Sequence, residues 1–342
     1  MKHFIAVIAA GLVLIVAGPS SAVAQGEGGT QPGDSGTTAG VGGAGREIVI
    51  GAGAVSGAYF PAAGAICHVV AAHNPDSRCF VESNENSSAN LKRLSSGLLD
   101  FAIVQSDWLM HASKGTNIFN AEGPNESLRA VMALHAESLT LVARADAGIA
   151  GPADLESKRV SIGPAFTYQR VLMEALLRAW DIDAGDLAPV QEMTGAEQFS
   201  ALCAGGLDAA AIVTAHPSPV LANAMQRCNL KLVPVTGKEL DALLEVRPEL
   251  SRATIPGGLY RGADDAVPTF GLRAILASTS NVEDGLVRMV TEAVLDSIDE
   301  FKGQHPVLAG ITAENMPSAG IALPLHDAAK AVYREKGLLS AE

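Results

Sequence analysis

Apolar and polar positions follow two rhythms along most of this chain. Short apolar runs rich in β-branched residues, EIVIGA, CFVES and FAIVQS, read as strands. Each is followed by a stretch of helical period, over 57–73, 87–97 and 107–114. RAVMAL comes next, and a polar stretch at 135–138 separates it from LTLVARA, which starts a second series. That series continues with DLESKRVSIG, a helix over 167–180, VQEMTG, a helix over 195–205, DAAAIVTA, a helix over 217–226, and LKLVPV. The chain then passes through TIPGGLYRGADDAVPTFG and the strand LRAILAST to two helices, over 282–302 and 325–336. The pattern predicts an α/β protein with parallel strands, built as two similar units in tandem. The closing helices have no strands between them, so they are expected to pack back on an earlier sheet. Two lobes with a ligand cleft follow, because open α/β sheets bind ligands beyond the carboxyl ends of their strands.

The N-terminal end breaks the rhythm. Lys2, an apolar run from Phe4 to Val16 and Ala22-Val23-Ala24 before Gln25 read as a secretory signal peptide over 1–24. The run is short of the roughly 20 residues that span a bilayer. Residues 25–45, with Gly at nine of 21 positions, read as a flexible linker. The remaining chain is expected in a periplasmic compartment as a monomer, with lobe 1 over 46–138 and 271–342 and lobe 2 over 139–270.

Composition narrows the partners. At 342 residues, 48% hydrophobic and 18% charged, the chain can bury one large core or two medium ones. A formal net charge of -13, more negative by one without Lys2, argues against nucleic acid and anionic membrane surfaces. Cys67, Cys79, Cys203 and Cys228 all follow the signal peptide, and an even number in an oxidising compartment suggests two disulfides. Three pairings are formally possible; local pairing, Cys67 with Cys79 and Cys203 with Cys228, is expected because each pair joins a probable helix to the strand or loop after it. No C-x-x-C or H-x-x-x-H spacing points to a metal, and no cofactor is expected.

The stretch IVIGAGAVSGAYFP, over 48–61, carries the densest motif. As a dinucleotide loop it fails at Ser56, which takes the third glycine position, and at Glu82, 31 residues after Gly51 where about 20 is usual. As a nucleophile elbow it needs G-x-S-x-G, and Gly53 lies one residue too far from Ser56. The histidines after the signal peptide, at 68, 73, 111, 135, 216, 305 and 326, offer no diagnostic spacing for a base. The remaining reading is a glycine turn that aims the N–H groups opening a helix near Gly57 into the cleft, where they favour an anion.

From Glu47 to about Gly337 the chain resembles the TAXI family of extracytoplasmic solute receptors, which serve tripartite (TRAP) transporters. The matching pieces include IGAGAVSGAYFPAAGAIC, SSANLKRLSSGLLDFAIVQSDW, VARADAGIAGPADLESKRVSIG, ALCAGGLDAAAIVTAHPSP, ATIPGGLY and LPLHDAAKAVYREKG. The resemblance implies a type II periplasmic-binding fold, two α/β lobes joined by hinge strands, and small organic anions such as glutamate-like amino acids or dicarboxylates as ligands. It also supports the local disulfide pairing. Carried over position by position, it places Val55, Ser56 and Tyr59 at the first loop and Ser87 and Asn90 at the second helix, with Ser87 also a good N-cap. It puts Gln105, Ser106 and Asp107 after the third strand, Thr167, Gln169 and Arg170 in the second lobe's loop, and Thr214 and His216 beyond a later strand.

Departures from the family fall at these loops. Ala52 and Val55 stand where the family has Thr, Phe166 and Tyr168 where it has small residues, and Asn84-Glu85-Asn86 where it has Thr-Gly-Gly. They imply a receptor of altered specificity with aromatic walls. Two other classes stay open: a receptor of the same fold serving a signalling partner, and an exported hydrolase using Ser56 or Ser106.

Overall fold

A strand buried on both faces reads as one apolar run whichever way its neighbours point, so direction emerges only on folding. The computed structural model describes residues 47–340 apart from 56, 165–166, 189–192 and 194. The expected signal peptide and linker, Ser56, Phe166 and most of VQEMTG lie outside the described residues.

The first elements follow the expected rhythm: β1 (Glu47–Ala52), α1 (Tyr59–His73), β2 (Arg78–Ser83), α2 (Ser87–Ser95), β3 (Phe101–Gln105) and α3 (Ser106–Lys114). A 17-residue strand, β4 (Leu128–Arg144), leads into β5 (Val160–Ser161), α4 (Tyr168–Ala179), α5 (Gly195–Cys203), β6 (Ala209–Thr214) and α6 (Pro219–Arg227). Then come β7 (Leu230–Val233), α7 (Lys238–Val246), β8 (Ser251–Ile255), β9 (Val267–Thr279), α8 (Asp284–Asp296), α9 (Ile298–Gly303) and α10 (Asp327–Glu335). Helix α7 was not expected, and the helix predicted over 282–302 is two helices with a break at Ser297.

The strands form one sheet in the order β2-β1-β3-β9-β4-β6-β5, with β7 also on β4 and β8 on β9. The expectation of parallel strands holds for β1 with β2 and β3, and for β5 with β6. It fails in the middle, where β9 runs antiparallel to β3 and β4, and β4 antiparallel to β6. β4 and β9 run through both halves of the sheet. The first part of β4 pairs with the end of β9, while from Ser138 onward β4 pairs with β6.

Alternation along these strands divides the core. Ile103 and Leu276 face α1, α8 and α10 on one side of the first half, while Val104 and Ile275 face α2 and α3 on the other. In the second half Leu141 and Ala211 pack on α4 and α7, and Val142 and Ala210 on α5 and α6. Helices cover both faces of both halves, which is why the strands read as nearly continuous apolar runs. The closing helices α8 and α10 pack on the first half, as expected. Both disulfides have the local pairing, Cys67–Cys79 between α1 and β2 and Cys203–Cys228 after α5 and α6.

The long strands change register twice, between Ala130 and Met132 and between Ala133 and Ala136 of β4. β4 bulges between Ala133 and Ala136 opposite β9, and pairing resumes at Ala136↔Arg273, Glu137↔Leu272 and Ser138↔Gly271. Gly271 has no side chain to spare here: a Cβ would sit 2.2 Å from the Glu137 carbonyl oxygen.

Candidate functional site

Beyond the carboxyl ends of β1 and β3 lies a groove of about 350 Å³, lined among others by Gly53, Tyr59, Ser87, Gln105, Trp108 and Glu137. Gln105 ends β3, and its backbone N–H donates to Ser87 Oγ at 3.1 Å, tying the start of α2 to the strand. Its side-chain Nε2 donates to Glu137 Oε2 on β4. Tyr59 opens α1 and hydrogen-bonds Glu137 as well. Burial pushes the Glu137 carboxyl above its ordinary range, while these two hydrogen bonds pull it back. Burial and the neighbouring Glu137 push the Tyr59 phenol up, so it stays a donor. Glu137 was not among the expected site residues; the one trace of it in the sequence is the polar stretch that interrupts the apolar run of β4.

The groove is acidic. Glu85 lines it beside Glu137, and among the described residues no Lys or Arg does. The undescribed positions between Glu47 and Ser340 contain no Lys or Arg either.

Several expected ligand residues hold the framework instead. Asn90 is fully buried and donates to the Ala52 and Ile103 carbonyls at 3.2 and 3.1 Å while accepting from Asn84 at 2.8 Å, so its amide is spent joining β1 to β3. Asn86, not Ser87, caps α2, accepting from the Ala89 N–H. Ser106 donates to the Glu249 carbonyl at 2.8 Å and accepts the Arg273 N–H at 3.1 Å. Both partners are backbone groups, so this buried hydroxyl is engaged in the framework and is hydrogen-bonded by no imidazole or carboxylate among the described residues. Val55 is 66% exposed and does not line the groove. The anion cradle expected at the helix start is also reduced. Gly57 turns its N–H back onto the Ala54 carbonyl at 2.8 Å, and Pro61, third in α1, has none.

Asp107 stands in the first turn of α3, where backbone N–H groups face its carboxyl. It is 4% exposed and its Oδ1 has no partner. Burial raises it to about 7, with Glu137 and Glu249 adding to the rise and the backbone donors opposing it. From the second half of the sheet, Tyr168 brings a buried hydroxyl into the field of Asp107, Glu249 and Arg247.

The other second-half residues are engaged locally. Thr167 caps α4 and donates to the Pro164 carbonyl at 2.7 Å. Gln169 donates to Gln198 at 3.3 Å, and Arg170 pairs with Glu174 and donates to the Gly163 carbonyl. Thr214 ends β6 with its hydroxyl on the Ala215 carbonyl. His216, which precedes a cis proline, sits in a hydrogen-bonded chain. Ser218 N–H donates to Tyr260 Oη, Tyr260 O–H to His216 Nδ1, His216 Nε2–H to Thr140 Oγ1 and Thr140 O–H to the Ser138 carbonyl, the one arrangement that gives every oxygen and nitrogen a role. His216 lines a second, larger cavity of about 710 Å³ together with His135 and Arg273. Among the described residues no group of three or more His, Cys, Asp or Glu is placed to hold a metal, and no helix is long and apolar enough to cross a membrane.

Residues 50–337 match the model of the NMT1-like family, and the chain belongs to that family. Among solved structures it resembles a TctC solute-binding protein from Polaromonas at 16% identity and a TM-score of 0.53, over 86% of this chain and 97% of that one. It is also similar to the periplasmic aliphatic sulphonate binding protein SsuA from Escherichia coli at 14% identity and a TM-score of 0.47, over 86% of this chain and 84% of that one. The fold is that of the type II periplasmic binding proteins, as the sequence led us to expect.

Proposed function

We propose that this member of the NMT1-like family is a periplasmic solute receptor that captures a small organic solute in the groove and delivers it to a membrane permease. One observation carries the reading. The groove lies beyond the carboxyl ends of β1 and β3, beside the two strands, β4 and β9, that run through both halves of the sheet. In this reading 46–138 with 271–342 form one lobe and 139–270 the other, β4 and β9 are the hinge, and contacts made only in the closed state bias the equilibrium. The resemblance to the TAXI receptors favours a TRAP-type permease.

The lining selects among the solutes that the resemblance suggests. Glu137 and Glu85 repel a dicarboxylate and attract an ammonium, and Gln105, Tyr59 and Ser87 supply neutral hydrogen-bonding groups beside them. An amino acid therefore fits the groove better than an oxo-dicarboxylate, its ammonium group against Glu137. Titration calorimetry of the protein without residues 1–24 against amino acids and dicarboxylates tests this. Saturable binding of an amino acid, weakened about tenfold or more by Glu137→Gln, is the expected result. Silence across the whole panel, or amino-acid binding indifferent to Glu137→Gln, overturns it.

A further inference from the structure

The larger cavity, at the bulge of β4, has on its wall a buried histidine without a hydrogen bond and a buried arginine without an ion pair among the described residues. His135 is 3% exposed, and neither ring nitrogen has a hydrogen-bond partner among the described residues. Arg273, opposite Ala136 in the β9 register, is 8% exposed. Its guanidinium donates to Ser251 Oγ at 3.0 Å, the Leu134 carbonyl at 3.4 Å and the Arg252 carbonyl at 2.9 Å. These partners are neutral, and three bonds leave two of its five N–H groups to spare.

Among the described residues no carboxylate offsets this charge. Among the described residues Arg273 makes no ion pair, and burial alone pulls its pKa down, with no acidic neighbour acting against it. Among the described residues the cavity wall carries no Asp or Glu. Arg252, the other cation on the wall, is already paired with Asp241. A buried guanidinium without a counter-charge is costly, and so is a buried imidazole without a partner. A single oxyanion would serve both.

We infer that the hinge cavity is an oxyanion site in which Arg273 and His135 together bind a carboxylate, sulfonate or similar group. The spare N–H groups of Arg273 form the fork that such a group accepts, and the N–H of the neutral His135 ring adds a third donor. The remaining wall, with Thr312, Asn315 and Gly310 from the 305–315 segment and Pro256 from the loop after β8, leaves room for a small organic body. The oxyanion is either a free anion or the acid end of a solute whose other end reaches the groove.

The test titrates the protein without residues 1–24 with acetate, with methanesulfonate and with sulfate, followed by calorimetry and by the side-chain NMR signals of His135, assigned through His135→Phe. Saturable binding of at least one anion, with the His135 signals moving, is expected. Arg273→Gln should weaken that binding about tenfold or more, and His135→Phe, which keeps the ring, several-fold. Absence of saturable binding to the wild type, or equal affinity in both variants, overturns the inference. If Arg273→Gln does not fold, His135→Phe and the wild-type His135 signals decide by the same criteria. Competition separates the two sources: an amino acid that displaces the anion is held at both ends, whereas one that binds alongside it leaves a free-anion site. Glu137→Gln, which tests the groove, is expected to leave anion binding intact, so failure of either reading is seen independently of the other.

Discussion

The rings of Tyr59 and His135 pack against each other with centroids 5.7 Å apart and planes tilted by 60°. Tyr59 is the first residue of α1 and lines the groove, while His135 stands in the bulge of β4 and lines the larger cavity. The pair therefore stands between the two spaces at the second of the two register shifts of β4 against β9. The tyrosine hydroxyl turns to Glu137, two residues further along β4. A movement of β4 is thus felt on both sides of the ring pair.

Close approach of β4 and β9 depends on Gly271. A methyl group there meets the Glu137 carbonyl oxygen at 2.2 Å and Ser138 Cα at 2.9 Å, both backbone atoms that yield only if the strands separate. Gly271→Ala is expected to cost about 3 kcal/mol, read from the denaturation midpoint. It should also disturb the amide signals of 136–139 more than those of distant residues.

Asp107 makes stability fall as pH rises. Its folded value is raised to about 7, well above that of an unfolded aspartate. The folded state therefore binds the proton more tightly, a contribution full below about pH 4 and lost as pH rises through 7. It is worth a few kcal/mol at most, about 1.4 kcal/mol for each tenfold change in the ionisation constant. Asp107→Asn should remove this dependence, seen as a smaller difference between unfolding free energies at pH 5 and pH 8 than in the wild type.

His216 acts in the opposite sense. Burial lowers it from the ordinary 6.5 to about 4, and its two nitrogens serve Tyr260 and Thr140 only in the neutral form. Its stabilising contribution is present above pH 6.5 and is lost as pH falls toward 4. The ring should titrate near 4 by NMR, and His216→Gln should flatten the acid side of the stability profile.

Two short covalent loops constrain the unfolded chain. The bridges close loops of 12 and 25 residues, and loop-closure entropy assigns about 3 kcal/mol to each, slightly more to Cys203–Cys228. Replacing either pair by alanine should lower the melting temperature. A reductant should then produce a smaller further drop than in the wild type, since one bridge is already gone.

The sequence by itself determined most of the elements, their alternation and the local cysteine pairing, because each depends on neighbours within a few tens of residues. A helix shows its buried stripe, a turn its glycines, and Cys67 and Cys79 meet because one helix ends close to where the next strand starts. That Tyr59, Ser87 and Gln105 line the groove follows from the same local signals, since each stands where a strand or helix begins or ends at the sheet's carboxyl edge. The framework bonds of Asn90 and Ser106 were not legible, because a polar side chain looks alike whether it awaits a ligand or bonds the backbone of a strand yet to be placed beside it. Tertiary structure alone set the antiparallel course of β4 and β9, since their apolar runs fit either direction. It also paired Gln105 with Glu137 across 32 residues and left, among the described residues, His135 without a hydrogen bond and Arg273 without an ion pair at one cavity. Whether a buried polar group is satisfied depends on every element packed around it, and that is known only once the chain has closed.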